Sequence, residues 1–204
     1  MDDIKRELFR DIEKAILGGG KQNKSRKSFN LLYTLSNTMF RADEFHEKCD
    51  GKGPTLTLLY GRFNNCFGGY TSQDWSCESH RTKRDESAFL FFKNKNAEAE
   101  CKIFPIPKNS ADNAIVCDKK FGPTFGYTKK AMFRYYDLQT CYESGKPMSQ
   151  EENNKWFTLN GQLHVPYLYK PRSDSEKTSP GGETTGDFNG GTLSVFRMEV
   201  YQVI

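Results

Sequence analysis

Between Phe45 and Trp75 the chain reads FHEKCDGKGPTLTLLYGRFNNCFGGYTSQDW, and no other stretch so narrows the folds open to it. Ala42, Phe45 and Cys49 form an inward stripe on a short helix, with Asp43 and Glu44 in its first turn, Lys48 in its last and Gly51 placed to end it. Gly53-Pro54 then turns the chain into Thr55–Tyr60, where Leu56, Leu58 and Tyr60 alternate with Thr55 and Thr57. That is the period of a strand with one covered and one partly wet face. A second strand through Phe67 and Tyr70 returns to Trp75. Helix, strand and strand with almost no spacer demand a β-rich layer with a helix against it.

The rest of the chain continues the pattern. Ala88–Phe92 is apolar at every position, with Phe89 and Phe91 opposite Leu90 and Phe92, as in a strand held between two layers. Lys102–Pro107 alternates too, but Pro105 and Pro107 donate no hydrogen bond, so it belongs at a sheet margin. Ala114–Cys117, Phe121–Tyr127, Phe133–Leu138 and Trp156–Leu159 read as further strands, and Phe29–Leu35 as a strand or a helix turn. In the closing run Leu193–Ile204, Phe196, Met198, Val200 and Ile204 face one way, while Arg197, Glu199 and Gln202 belong to the polar side.

At the N-terminus Ile4, Leu8, Ile12 and Ile16 recur on one face of an amphipathic helix over Asp3–Leu17, stopped by Gly18-Gly19-Gly20. Its apolar face either packs on the domain or docks on a partner. Glu143–Lys155 and Lys170–Gly191 are polar loops. The fold expected is all-β to α+β, a two-sheet antiparallel β-sandwich flanked by short helices. Residues 1–28 supply the N-terminal helix and a Gly/Lys-rich connection. Residues 29–204 form the sandwich, with a flexible loop at about 170–191.

A chain of 204 residues with 36% hydrophobic content suits one core. Its net charge of +4 is spread among 26 acidic residues, without the one-sided basic field of a nucleic-acid binder. Only Lys21–Lys27 and Lys119-Lys120 are locally basic, and they read as a solvated turn and a strand end. Gly18-Gly19-Gly20-Lys21 has phosphate-loop letters but follows a helix and carries Gln22 where a hydroxyl is needed, so it is no nucleotide site. With no apolar run of the ~18 residues a membrane span needs and no signal sequence, the chain reads as soluble and cytoplasmic. Its six cysteines are then reduced thiols.

Three constellations carry possible chemistry. His46-x-x-Cys49 and Cys77-x-x-His80 together hold the donors of a tetrahedral zinc site; the alternative is a buried Cys49 and an exposed His80. A nucleophilic hydrolase finds its letters in Ser72, Cys77, His80, His46 and Glu47 but lacks a Gly-x-Ser-x-Gly elbow. A reactive thiol needs a thiolate near positive charge, for which Cys49 beside Lys48 and Cys117 near Lys119 are weak candidates. For partner binding, Tyr70, Gln73 and Trp75 beside His46, Glu47, Asp50 and Lys52 offer an aromatic anchor in charged surroundings, His46 and Glu47 projecting accessibly. The alternative is that Tyr70 and Trp75 are core.

The runs HEKCDGKGPTLTLL and FGGYTSQDW resemble the TLDc domain. The resemblance continues through Ser87–Phe91, Ile103–Ile106, Gly122–Gly126 with Asp137-Leu138, and Met198–Tyr201, from about Leu31 to the C-terminus. The closing block, and the Ile-Pro segment ahead of Ala114–Cys117, are most similar to the TLDc domain that precedes a GTPase-like domain in the interferon-induced group. The resemblance implies a non-enzymatic β-sandwich without cofactor, acting through protein partners in oxidative-stress or innate-immune response. Those partners include the peripheral stalk of the vacuolar proton-pumping ATPase in some members, through which the protein would reach endolysosomal membranes. It also implies a GTPase-like domain after Ile204. A thiol-dependent oxidation-protective domain is the alternative function.

Overall fold

The computed structural model describes residues 2–18, 26–36, 39–63, 65–94, 101–143, 149–150, 156–164, 168–169 and 191–204. Helix α1 is Asp2–Leu17 and α2 is Ala42–Cys49. The strands are β1 Phe29–Leu35, β2 Thr55–Gly61, β3 Asn65–Thr71, β4 Arg81–Lys83, β5 Phe89–Asn94, β6 Lys102–Pro105, β7 Ile115–Cys117 and β8 Thr124–Phe125. They continue with β9 Thr128–Lys130, β10 Phe133–Tyr135, β11 Leu138–Gln139, β12 Ser149–Gln150, β13 Phe157–Thr158, β14 Gln162–Leu163 and β15 Ser194–Val203. The loop expected at about 170–191 lies, apart from Gly191, outside the described residues; so does most of 143–155, within which the two-residue β12 is an unforeseen strand.

All pairings between these strands are antiparallel. The larger, eight-stranded sheet runs β12-β13-β15-β2-β3-β5-β6, with β1 alongside β15; a five-stranded sheet runs β14-β11-β8-β7-β4; β9 and β10 form a separate hairpin. β15 therefore has β2 on one edge and β1 and β13 on the other. Lys102–Pro105 forms the margin strand β6, where its prolines put it. The expected strand Phe133–Leu138 divides, its first half in the hairpin and its second, β11, in the smaller sheet.

Two cores follow from the two faces of the larger sheet. One, between the sheets, joins Leu59, Phe67, Leu90, Phe104, Met198 and Val200 to Ile115, Cys117, Phe125, Leu138 and Leu163. The other lies under α1, where Leu8 and Ile12 meet Leu56, Leu58, Tyr60, Phe89, Phe91, Tyr201 and Val203. The expected opposition of Phe89 and Phe91 to Leu90 and Phe92 holds, and α1 packs on the domain. It is the smaller sheet, with Trp75, that corrects the wet face expected for β2. Every residue of Thr55–Gly61 is buried, because Leu56, Leu58 and Tyr60 lie under α1 while Thr55 and Thr57 point between the sheets. There Thr55 Oγ1 accepts from Trp75 Nε1 at 2.9 Å. Thr57 Oγ1 has no partner among the described residues.

The parity expected for the last strand also needs correction. A register shift between Val195 and Arg197 puts Val195 with Met198 and Val200, and turns Phe196 to the α1 side. Ile204 is exposed. Glu199, assigned to a polar face, is buried on the side that α1 covers. Its Oε2 accepts from Tyr201 Oη at 2.5 Å, Tyr60 Oη at 2.7 Å and Lys5 Nζ at 3.2 Å, and its Oε1 from Arg197 Nη1 at 3.2 Å. Burial opposes ionisation, but the two phenol hydrogen bonds and the Lys5 ammonium outweigh it and lower the pKa. A carboxyl depressed in the folded state adds stability above its unfolded pKa and loses it as pH falls through the folded value. Glu199→Gln should therefore flatten the fall in urea midpoint below about pH 4.5, the ordinary carboxyl range; an unchanged acid limb would show that Glu199 does not contribute.

Candidate interaction surface

The turn after α2 and the loop after β3 meet at one end of the sandwich. Gly51, at φ +66°, ends α2 and donates its N–H to Trp75 O at 3.2 Å, and Asp50 bridges to Trp75. A cis Gly53-Pro54 bond leads into β2, with Gly53 N donating to Asp74 Oδ1 at 2.8 Å. The facing loop is fixed by buried Asp85, which accepts from Thr71 Oγ1 and from the N–H and hydroxyl of Ser72 and of Ser87. Two chain reversals are thus locked together by polar bonds over an aromatic floor.

That floor corrects the anchor read from the sequence. Tyr70 and Trp75 are core residues, 4% and 2% exposed. Trp75 packs edge-on against Phe45 and Phe125, and Tyr70 stacks on Phe89. His46 is buried rather than accessible, its Nδ1 2.8 Å from Asp50 Oδ1 and its Nε2 3.0 Å from Asp118 O. Glu47 and Lys52 are exposed, and Asp50 and Gln73 half-buried, so these four form a polar rim without an aromatic tip.

The zinc half-sites stay apart. Both ring nitrogens of His46 are engaged, Cys49 is buried beneath its helix, Cys77 is exposed, and His80 Nε2 lies 2.9 Å from Tyr136 Oη. Among the described residues no group of three or more His, Cys, Asp or Glu could hold a metal ion. His80 instead packs among Tyr127, Tyr136 and Phe121. Burial and the nearby Arg134 guanidinium lower its pKa.

This aromatic cluster roots the β9–β10 hairpin. Gly126, at φ +69°, starts it, and a Cβ there would come within 2.2 Å of buried Asp137 Oδ2, so only glycine fits. Lys130 pairs with Phe133 and Lys129 with Arg134, leaving a two-residue turn of Ala131, at φ +52°, and Met132. Met132 is 91% and Phe133 65% exposed. Lys129, Lys130 and Arg134 are exposed beside them, and residues 128–135 contain no acid. Phe133 is the strand residue the sequence suggested, and its exposure goes with the cationic run around it.

A family model for the TLDc domain matches residues 7–174. The chain belongs to the TLDc family. Comparison with curated proteins gives no match. The matched residues of this TLDc domain take in α1 from Glu7 on, α2 and every strand but β15. Among the described residues no helix is long and apolar enough to cross a membrane.

Thiols in the TLDc core are held protonated. Burial pushes Cys49 and Cys101 up to about 12 and raises Cys117 and Cys141 as well, so Lys48 and Lys119 do not activate their neighbours. Cys66 is buried, and Cys77 is exposed.

Proposed function

We propose that this TLDc domain works without catalysis, as a protein-interaction module of the oxidation-resistance type, and that the β9–β10 hairpin seizes the partner. The observation that supports this reading is the tip. Met132 and Phe133 are the one adjacent pair of large apolar side chains exposed among the described residues, above a packed aromatic root. Methionine and aromatic residues are the types enriched at binding interfaces. Lys129, Lys130 and Arg134 around the tip fit a protein surface whose apolar pocket is bordered by carboxylates. Peripheral-stalk subunits of the vacuolar proton pump are the first partners to test, and the similarity to the interferon-induced group points to innate defence. A thiol-dependent protective role would have to run through Cys77, the one exposed thiol among the described residues.

Binding of the full chain to purified peripheral-stalk subunits, followed by calorimetry, tests this. The Met132→Ser/Phe133→Ser variant should bind about 30-fold more weakly, as loss of a hot spot of about 2 kcal/mol requires, with its thermal transition unchanged. Cys77→Ser should bind as the parent does. Undiminished binding by the hairpin variant would remove the hairpin from the interface.

A further inference from the structure

A second surface, on the opposite face of the larger sheet from the smaller sheet, stands outside everything above. Along α1, Arg6, Arg10 and Lys14 follow one another at one-turn spacing, so they line one side of the helix. Opposite them the chain leading into β1 brings Arg26 and Lys27, and between the two runs a cleft of about 470 Å³. Its apolar wall is Phe9 and Phe29, stacked with centroids 4.3 Å apart.

The charge balance of this cleft is lopsided. Among the described residues five cations line it against one carboxylate, Glu13. Glu13 is itself occupied, its Oε1 accepting from Lys27 N at 2.7 Å, which holds the two walls together. Nearby Asp11 is held chiefly by Lys93, its Oδ2 2.6 Å from Lys93 Nζ, and pairs more loosely with Lys14, whose Nζ is 3.9 Å from Oδ1. Cations from two separate stretches of the sequence therefore converge on one concavity, where they raise the local concentration of anions.

We infer that the α1–β1 cleft binds a small polyphosphorylated group, either free in solution or as the headgroup of a lipid. Three of its cations are arginines, whose planar forks match phosphate oxygens in pairs. Helical spacing sets Arg6, Arg10 and Lys14 about 5–6 Å apart at Cβ, a span that phosphates on neighbouring carbons of a sugar or inositol ring can bridge. The volume lies within the ~300–1,000 Å³ range of small-ligand sites. A protein partner would need roughly 800 Å² of matched surface, more than this narrow trough supplies.

Calorimetry with inositol 1,4,5-trisphosphate and flotation with phosphatidylcholine vesicles, with and without phosphatidylinositol 4,5-bisphosphate, test the inference on the full chain. Arg10→Glu/Lys14→Glu, at two exposed positions, should weaken both interactions at least about tenfold, while Lys129→Glu/Lys130→Glu on the distant hairpin should leave them unchanged. Binding of the trisphosphate alone assigns a soluble ligand; capture by the bisphosphate vesicles as well assigns a headgroup. No binding of either probe, an equal loss in the hairpin variant, or tighter binding of a poly-glutamate peptide that displaces the trisphosphate would overturn it.

Discussion

Deletion of residues 194–204 is expected to abolish the folded state rather than trim its edge. β15 hydrogen-bonds β2 along nearly its whole length on one side and β1 and β13 on the other. Its side chains serve both cores, Val195, Met198 and Val200 between the sheets and Tyr201 and Val203 under α1. Without it three strands keep unpaired backbone groups in buried positions, and Tyr60 and Lys5 lose the Glu199 carboxylate. The truncated chain should show no cooperative thermal transition by circular dichroism. A sharp transition near that of the parent would mean that the remaining strands make a sheet of their own. The test bears on the family as well, since the matched residues 7–174 end before this strand.

Trp75→Ala is expected to cost about 3–5 kcal/mol of stability, the range for removing a fully buried large aromatic. The side chain fills the junction of α2, β2 and the smaller sheet, and its loss leaves Thr55 Oγ1 buried without its donor. Lys52→Ala and Gln73→Ala, on the polar rim above it, should stay within about 0.5 kcal/mol, as surface changes usually do. Urea denaturation of the three variants distinguishes the two cases. An unaltered midpoint for Trp75→Ala would return this residue to the surface as a partner anchor.

What could be read in advance was whatever neighbouring residues decide between themselves. Helix α2 was legible to its last residue because its acidic first turn, apolar stripe and Gly51 agree. So was the parity of Phe89–Phe92 in β5, where all four positions are apolar and either face must be covered. The second face of β2 was not, because what buries Thr55 and Thr57 is Trp75 and the smaller sheet, formed by residues later in the chain. Glu199 failed because the side of β15 that reads as polar is covered by α1, where the carboxylate is kept by Tyr60 and Lys5 from distant segments and by neighbouring Tyr201 and Arg197. Burial of Tyr70 and Trp75 could not be told from display, since an aromatic residue serves either purpose. The Arg6, Arg10 and Lys14 row was visible at helical spacing, but its meaning waits on Arg26 and Lys27 across the fold.

The margin strand β6 bears on how copies of the molecule meet. Strands at the rim of a sheet invite a neighbouring chain to pair with them, and natural sheets blunt that invitation. Here Pro105 closes β6 and Pro107 follows, so the rim runs out of amide protons just where an incoming strand would seek them. Stacking of copies rim to rim, the route by which β-rich chains grow into fibres, is thereby discouraged on this flank without any loss of pairing between β6 and β5.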